Sequence, residues 1–509
     1  MSRFHLRFPT LPASGIVLGL GVAVMAAQAQ PAETTELRSN DALLTLDYRS
    51  VKVPGDQALD LAGFHAYCRL FGGVYAGGGF YSPLVKGEYG GFVAADLGLH
   101  LRQPLAGPWL LTAGISGGGG GGGRSVEHSK LLSGSGGFAK AYAGLGYDFG
   151  DFTLGATVSR LKFHNALIDS TQAGLLLEMP FSYLTGPFSR HGQALSSADD
   201  LRAGAEMGES MLTLSLDNYR QRSPRGSNKS TINLADLQYA HFFASDSYWF
   251  AAFGMGYRGL PLYNQLLGGL GQRWRLAPDV TLYGQLGVGS GGYSPEVMDT
   301  SSGLIVYPRV SAEVALTRDL GLALSAGYMT APKGSSRNQT FGLSLTHHLR
   351  SGQGGDASGP ALYQGLRLSV LHQTDLNLSY RGTDRPSLQM LGLQLDIPVG
   401  QRWYLPLQAS AAYNAYLGYP GYAEILGGLG VQTLAGPDER LQAFAQLLAG
   451  ANVHGKAAKA SAGVRWLLDE RLALNFSVGH IEARSASGGQ FKADNLALGL
   501  DYRFSVPTR

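Results

Sequence analysis

Along most of the chain, hydrophobic and polar positions alternate one by one. That two-residue period belongs to a β-strand with one apolar face, not to a helix. In Phe138 to Phe149, Ala139, Ala141, Ala143, Leu145, Tyr147 and Phe149 share a face, opposite Lys140, Tyr142, Gly144, Gly146 and Asp148. Gln172 to Tyr183, Leu320 to Tyr328 and Leu472 to His480 alternate in the same way. In the last such segment Leu496, Leu498, Leu500, Tyr502 and Phe504 oppose Asn495, Ala497, Gly499, Asp501 and Arg503. Segments of about 9–13 residues exceed the roughly 5–6 of a soluble strand. They match the length a tilted strand needs to cross a bilayer, about 9–11 residues. In lipid every backbone polar group must pair within the protein, so a spanning sheet has to close on itself. The pattern predicts an all-β fold, a transmembrane antiparallel β-barrel. A secreted β-sandwich or solenoid would alternate too, but would normally carry more surface charge.

The chain also repeats. Tyr263 to Gly271 reads YNQLLGGLG and Tyr422 to Gly430 reads YAEILGGLG. In the first third, 88–103 (EYGGFVAADLGLHLRQ) takes the same place, and 109–123 (WLLTAGISGGGGGGG) supplies the strand after it. Three units of about eight strands result, roughly 42–186, 210–349 and 366–504. Eight strands suffice for a small closed barrel. The sequence therefore allows one barrel of about 24 strands or three eight-stranded barrels in tandem. The single barrel is the expectation, since outer-membrane barrels reach 26 strands and beyond.

The N-terminus points to export. Arg3, His5 and Arg7 precede an apolar run from Ile16 to Ala27 and an Ala27-Gln28-Ala29 cleavage signal. Residues 1–29 read as a signal peptide, leaving 30–509 as the mature barrel. Composition agrees with this reading. Charged residues make up 15 % and aromatics 10 %, with 73 glycines in 509 residues and a net charge of +3. So slight a charge, without a dense Lys/Arg run, gives no reason to expect nucleic acid as a partner. Cys68 is the only cysteine, which excludes an intrachain disulfide.

The terminal GLDYRF (499–504) resembles the C-terminal signal of bacterial outer-membrane barrels, glycine-x-x-aromatic-x-aromatic. That resemblance implies insertion by the barrel-assembly machinery through Gly499, Tyr502 and Phe504, and localisation in the outer membrane of a diderm bacterium. Here Ser505 to Arg509 follow the final aromatic, where the family usually stops. With the export signal and the alternation, most of the chain is similar to outer-membrane porin-like proteins.

Catalytic chemistry finds little support. Gly118 to Ser125 matches glycine spacings of a phosphate loop only because a polyglycine run matches any such spacing, and Arg124 stands where lysine is needed. His164 with Ser170, His128 with Ser129, and His347/His348 with Ser351 are the Ser–His pairings a lipid-modifying barrel would use, without the required spacing. We expect no enzyme, no cofactor and no metal site. The polyglycine run reads as a strand end and turn, and its excess length has no explanation in the sequence. On the polar face, Lys140, Asp148, Glu178, Arg273, Arg275, Asp501 and Arg503 are expected to line the lumen among small residues. Segments 30–41, 187–209 and 350–362 are candidate plugs. The expected function is a pore or export conduit. The alternatives are a barrel that houses or anchors an exported polymer or protein partner, and a lipid-modifying enzyme. Outer-membrane lipid is an expected partner throughout.

Overall fold

The computed structural model describes residues 38–504, apart from 127–130, 187–192, 194–208, 223–224, 318–319, 350–362, 364, 419, 435–439, 469–470 and 486–487. The leader 1–29 therefore lies outside the described residues, as do most of the three candidate plug segments. Among the described residues every element is a β-strand except one 3₁₀ turn, Gly123–Val126.

The single large barrel is not formed. Each repeat closes on itself as an eight-stranded antiparallel ring. In the first, strand Arg38–Val51 pairs with Leu59–Phe71 on one side and with Asp169–Thr185 on the other, from Arg38–Thr185 to Arg49–Gly174. In the second, Ser210–Gln221 pairs with Ile232–Phe242 and closes on Arg337–Leu349. In the third, Leu366–Tyr380 pairs with Leu388–Val399 and closes on Gln490–Phe504; the two-residue strand Thr383–Asp384 extends its first hairpin. Local closure wins because eight strands already satisfy every sheet edge, and an eight-stranded interior is just wide enough for side chains to fill.

The LGGLG segments lie on the fourth strand of their barrels, Asn264–Ala277 and Ala423–Gln432, and Val93–Pro104 holds that place in the first. All the strand ends fall into two sets. At one end lie the chain connections between barrels and turns such as 72–73, 243–246 and 278–279. At the other lie longer loops such as 83–92, 122–136 and 293–303.

Each barrel touches the other two. Third strands carry part of this contact: Phe80 of Val74–Ser82 stacks on Phe253 of Ser247–Arg258, with centroids 5.9 Å apart. Their counterpart in the third barrel, Trp403–Ala412, runs beside the fifth strand of the first, Trp109–Gly121. The third strand of the second barrel likewise runs beside the fifth strand of the third, Leu441–Asn452. First and second barrels interlock through loops. Gly90 N donates to Ser301 O at 3.0 Å, Asn264 Nδ2 to Gly91 O at 2.8 Å and Ser302 Oγ to Leu84 O at 2.6 Å. Asp60 fixes the loop involved by accepting from the amides of Leu84, Val85 and Lys86. At the opposite end, Tyr183 of the first barrel meets Tyr502 and Phe504 of the third.

The polyglycine run finds its place here. Gly119 and Gly121 sit on the outer face of the fifth strand and abut the third barrel. A Cβ on Gly119 would lie 3.0 Å from Ala412 O and from Tyr413 Cα; one on Gly121 would lie 2.8 Å from the Pro420 carbonyl carbon. Glycine is required because backbone meets backbone across the seam. Gly119→Val is expected to destabilise the protein by about 1–3 kcal/mol through overpacking. Gly268→Ala, on an exposed strand position where an added Cβ meets only Phe250 O at 3.8 Å, serves as the control for loss of glycine alone. Thermal unfolding followed by heat-modifiable gel migration checks the difference.

Candidate functional site: an apolar belt around three sealed lumens

The burial pattern is inverted relative to a soluble protein. Along Thr153–Phe163, Leu154 and Val158 are exposed while Thr153, Thr157 and Ser159 are buried. Leu324 and Leu447 are 67 % and 69 % exposed, whereas Asp96 and Arg465 are 3 % and 0 % exposed. Outward-facing Leu, Val and Phe girdle all three barrels. All five tryptophans (Trp109, Trp249, Trp274, Trp403 and Trp466) lie close to the short-turn end, on strands that begin or finish there. Trp109 packs edge-on against Tyr147, and Phe149 stacks on Phe152 beside the same turn. Aromatic residues concentrate in this way at a membrane interface, where an apolar ring meets water.

Each lumen is filled in layers. Toward the long-loop end lies an apolar cap in which strand residues meet loop residues. In the first barrel Phe138, Leu161 and Phe163 pack with Tyr89, Phe92 and Leu132. In the second, Tyr219, Ile305 and Tyr307 pack with Tyr263 and Met298. In the third, Met390, Ile481 and Phe491 pack with Tyr416 and Tyr422.

Below each cap, charges meet across the barrel. In the first, Lys140 lies 3.8 Å from Asp47 and 3.7 Å from Asp96; His65 Nε2 is 2.9 Å from Asp96 Oδ1, and Arg49 pairs with Asp47. Glu178 takes His100 Nε2 at 3.1 Å and Arg102 at 3.4 Å; Arg102 also reaches Asp148 at 3.0 Å. In the second, Arg309 donates to Asp217 at 3.2 Å and to Ser325 at 2.8 Å. Nearer the turns, Arg273 bonds Glu209 at 2.7 Å, and His348 bridges Glu209 (3.2 Å) and Glu313 (2.9 Å). In the third, Arg465 joins Asp501 at 2.9 Å and Asp396 at 3.3 Å, and Arg367 Nε donates to Asp396 at 2.8 Å. These crossings tie distant strands together, because a buried charge without a partner is too costly to keep.

The residues named from sequence are distributed as follows. Lys140, Glu178, Arg273, Asp501 and Arg503 are buried on the inner face. Asp148 lies at its turn-end rim, one-third exposed, and Arg275 pairs loosely with Asp246 outside the turn-end mouth. Tyr502 and Phe504 face outward and are covered by the neighbouring barrel, while Gly499 points inward beside Leu371. Sequence reasoning missed Asp47, Asp96, His100, Glu209, Arg309, Asp396 and Arg465. The inward parity of each on its strand was available as a signal; its partner across the barrel was not.

The Ser–His pairings are not assembled where they are described. His164 is exposed in its loop, and Ser170 hydrogen-bonds Gln172 at 2.8 Å. His348 points into the lumen, bound to two carboxylates, and His347 lies on the other face. His128, Ser129 and Ser351 lie outside the described residues. Among the described residues no group of three or more His, Cys, Asp and Glu is placed to hold a metal. Cys68 packs with Tyr183 at the seam between the first and third barrels.

A histidine sits beside the third cap, outside the strands. His454, in the turn after Leu441–Asn452, stacks on Tyr380 at 4.1 Å and bonds Tyr416 OH at 2.6 Å. Burial, with help from the Arg381 guanidinium, lowers its pKa to about 4. The unfolded chain takes up this proton near pH 6.5, the cap only near 4, so the contribution to stability is complete above about pH 6.5 and is lost as pH falls toward 4. His454→Phe is therefore expected to flatten part of the loss of thermal stability between pH 6.5 and 4, as read by melting temperature. Arg465→Met would take one guanidinium from Asp396, which keeps Arg367, and would leave Asp501 to the Asn475 amide and a 3.8 Å contact with Arg367. An expected loss of about 3–5 kcal/mol in denaturant unfolding checks the network's role.

No family model matches the chain, and no curated protein matches it. Solved structures do. The outer membrane protein Ail of Yersinia pestis is 17 % identical over 28 % of this chain and 99 % of its own, with a TM-score of 0.21. The FrpB iron transporter of Neisseria meningitidis is 9 % identical over 95 % and 83 %, with a TM-score of 0.32. The siderophore receptor PirA of Acinetobacter baumannii is 8 % identical over 93 % and 81 %, with a TM-score of 0.30. The chain is thus similar to bacterial outer-membrane β-barrel proteins.

Proposed function

We propose that this chain is an integral outer-membrane protein whose three sealed barrels form one membrane-embedded body that anchors and presents a broad extracellular surface to a partner. The observation that carries this reading is the inversion of burial. An apolar belt bounded by all five tryptophans at one end surrounds interiors that are charged and internally paired. Such a surface is stable against lipid tails and unstable in water. Short turns and chain connections would face the periplasm, and the long interlocking loops the exterior, as in barrels of this kind. The open pore expected from the sequence is less favoured: each lumen is crossed by paired charges and capped by apolar side chains. The docked loops of the first two barrels give a broad platform instead of separate mouths. Outer-membrane lipid would cover the belt. The barrel-assembly machinery would insert the chain, with Tyr502 and Phe504 moving from that contact to the seam against Tyr183. The partner would be an exported polymer or protein.

Planar-bilayer recording of the purified, heat-modifiable protein tests this. The expected result is a silent membrane, without stable conductance steps. Reproducible steps of one size in the unaltered protein would overturn the sealed-anchor reading in favour of a conduit.

A further inference from the structure

The three lumens differ at mid-depth. In the first and second barrels this level is held by ionic contacts, Lys140 with Asp47 and Asp96, and Arg309 with Asp217. In the third, amides predominate: Gln373, Gln408, Gln446, Asn475 and Asn495 surround a cavity together with Ser461 and the Lys459 ammonium, which pairs with Glu424. The cavity is wide enough only for molecules of about the size of water. Several of its wall atoms point into it without a hydrogen-bond partner: Asn475 Oδ1, Asn495 Oδ1 and Ser461 Oγ. Asn475 and Asn495 are 3 % and 5 % exposed, so bulk solvent does not serve them. Their remaining valences are used, since Asn475 Nδ2 donates to Asp501 at 3.1 Å and Asn495 Nδ2 donates to Asp375. Lys459 is committed to Gln373 at 2.6 Å and to Glu424 at 3.5 Å, so it does not turn to them either.

A buried amide oxygen without a partner is costly to keep. Several acceptors converging on one polar cavity call for a small hydrogen-bond donor that can bond two or more of them together. We infer that the third lumen holds a binding chamber for water, or for a neutral donor of similar size, closed on the long-loop side by the Tyr416–His454 bridge and on the turn side by the Arg465–Asp396–Asp501 lock. The layering along Gln490–Phe504 supports the two closures. Its inward residues run from Phe491 and Ala493 in the cap, through Asn495 and Ala497 at the chamber, to Asp501 in the lock. Along Gly455–Leu467 the order is Ala457, Lys459, Ser461 and then Arg465. The inference does not depend on a partner or on the anchoring role, because it concerns only what fills one lumen.

Cysteine accessibility tests it. With Cys68→Ala as background, Ser461→Cys is placed in the full-length protein and treated with hydrogen peroxide, a neutral donor little larger than water, oxidative labelling of the thiol being followed by peptide mass. With the cap intact, labelling should be at least tenfold slower than at an exposed loop site such as Ser387→Cys. Adding His454→Ala, alone or with Tyr416→Ala, should raise the rate at Ser461→Cys at least tenfold while the protein keeps its heat-modifiable migration. Ser116→Cys, among the first barrel's ionic contacts, should stay protected in both backgrounds. Equal protection of Ser461→Cys with and without the cap residues in a folded variant would overturn the chamber. So would labelling of Ser116→Cys as fast as Ser461→Cys once the cap is removed.

Discussion

One obligation shapes this molecule: each long strand finds backbone partners on both sides within its own ring. On the membrane reading proposed above, lipid offers no hydrogen bond, so an edge could not be left open. Each repeat meets the obligation alone, by pairing its first strand with its eighth over a long register. Closure at eight strands fixes the diameter, and the diameter fixes what the interior can be. Side chains from opposite walls touch, so the polar face cannot be a wetted lining as in a wide porin. Arg465 reaching both Asp396 and Asp501 is the direct result.

That narrowness converts a compositional fact into an energetic one. Polar residues placed inward by the two-residue period must satisfy each other. The barrels do this in different ways, with Lys140 between two carboxylates, Arg309 among serines and one aspartate, and glutamines around Lys459. Ionic and amide layers alike leave polar atoms over: Arg49 Nε and Asp47 Oδ1 in the first lumen, Arg309 Nε and Asp217 Oδ2 in the second, Asn475 Oδ1 and Asn495 Oδ1 in the third. In the third, the residues that carry them line a water-sized cavity.

The strands and their two faces were legible in the sequence because alternation is local. Ala139 to Phe149 and Leu496 to Phe504 point where their parity places them. Ring size was not legible. A strand such as Arg38–Val51 has the same alternation whether its second neighbour is Asp169–Thr185 or a strand of another repeat, and the closing pairs are more than a hundred residues apart. The lumen partners were hidden for the same reason. Lys140 could be assigned to the polar face by counting, but Asp47 and Asp96 meet it only once the ring is closed. The terminal Tyr502 and Phe504 read as lipid-facing aromatics, and only the packing of barrel on barrel shows them against Tyr183.

The uneven glycine run is settled by the symmetry of that packing. A contact between unlike patches, repeated by rotation, closes into a ring when the rotation fits. Here the ring closes inside one chain, so its three joints need not be identical and were free to diverge. The joint between the first and second barrels is made by hydrogen-bonded loops, Gly90 to Ser301 and Asn264 to Gly91. The joint between the second and third brings Gly455 against the Tyr257 carbonyl. The joint between the third and first is made by bare backbone, Gly119 and Gly121 against Ala412 to Gly421. The first joint also sets a glycine strand end against backbone, Gly292 against Gly90 and Gly91, but with one such glycine where the last joint has two, Gly119 and Gly121. The fading of the run in the other two copies goes with the different way each joint is made: hydrogen-bonded loops at one, and a fifth strand beside a third strand at the other two.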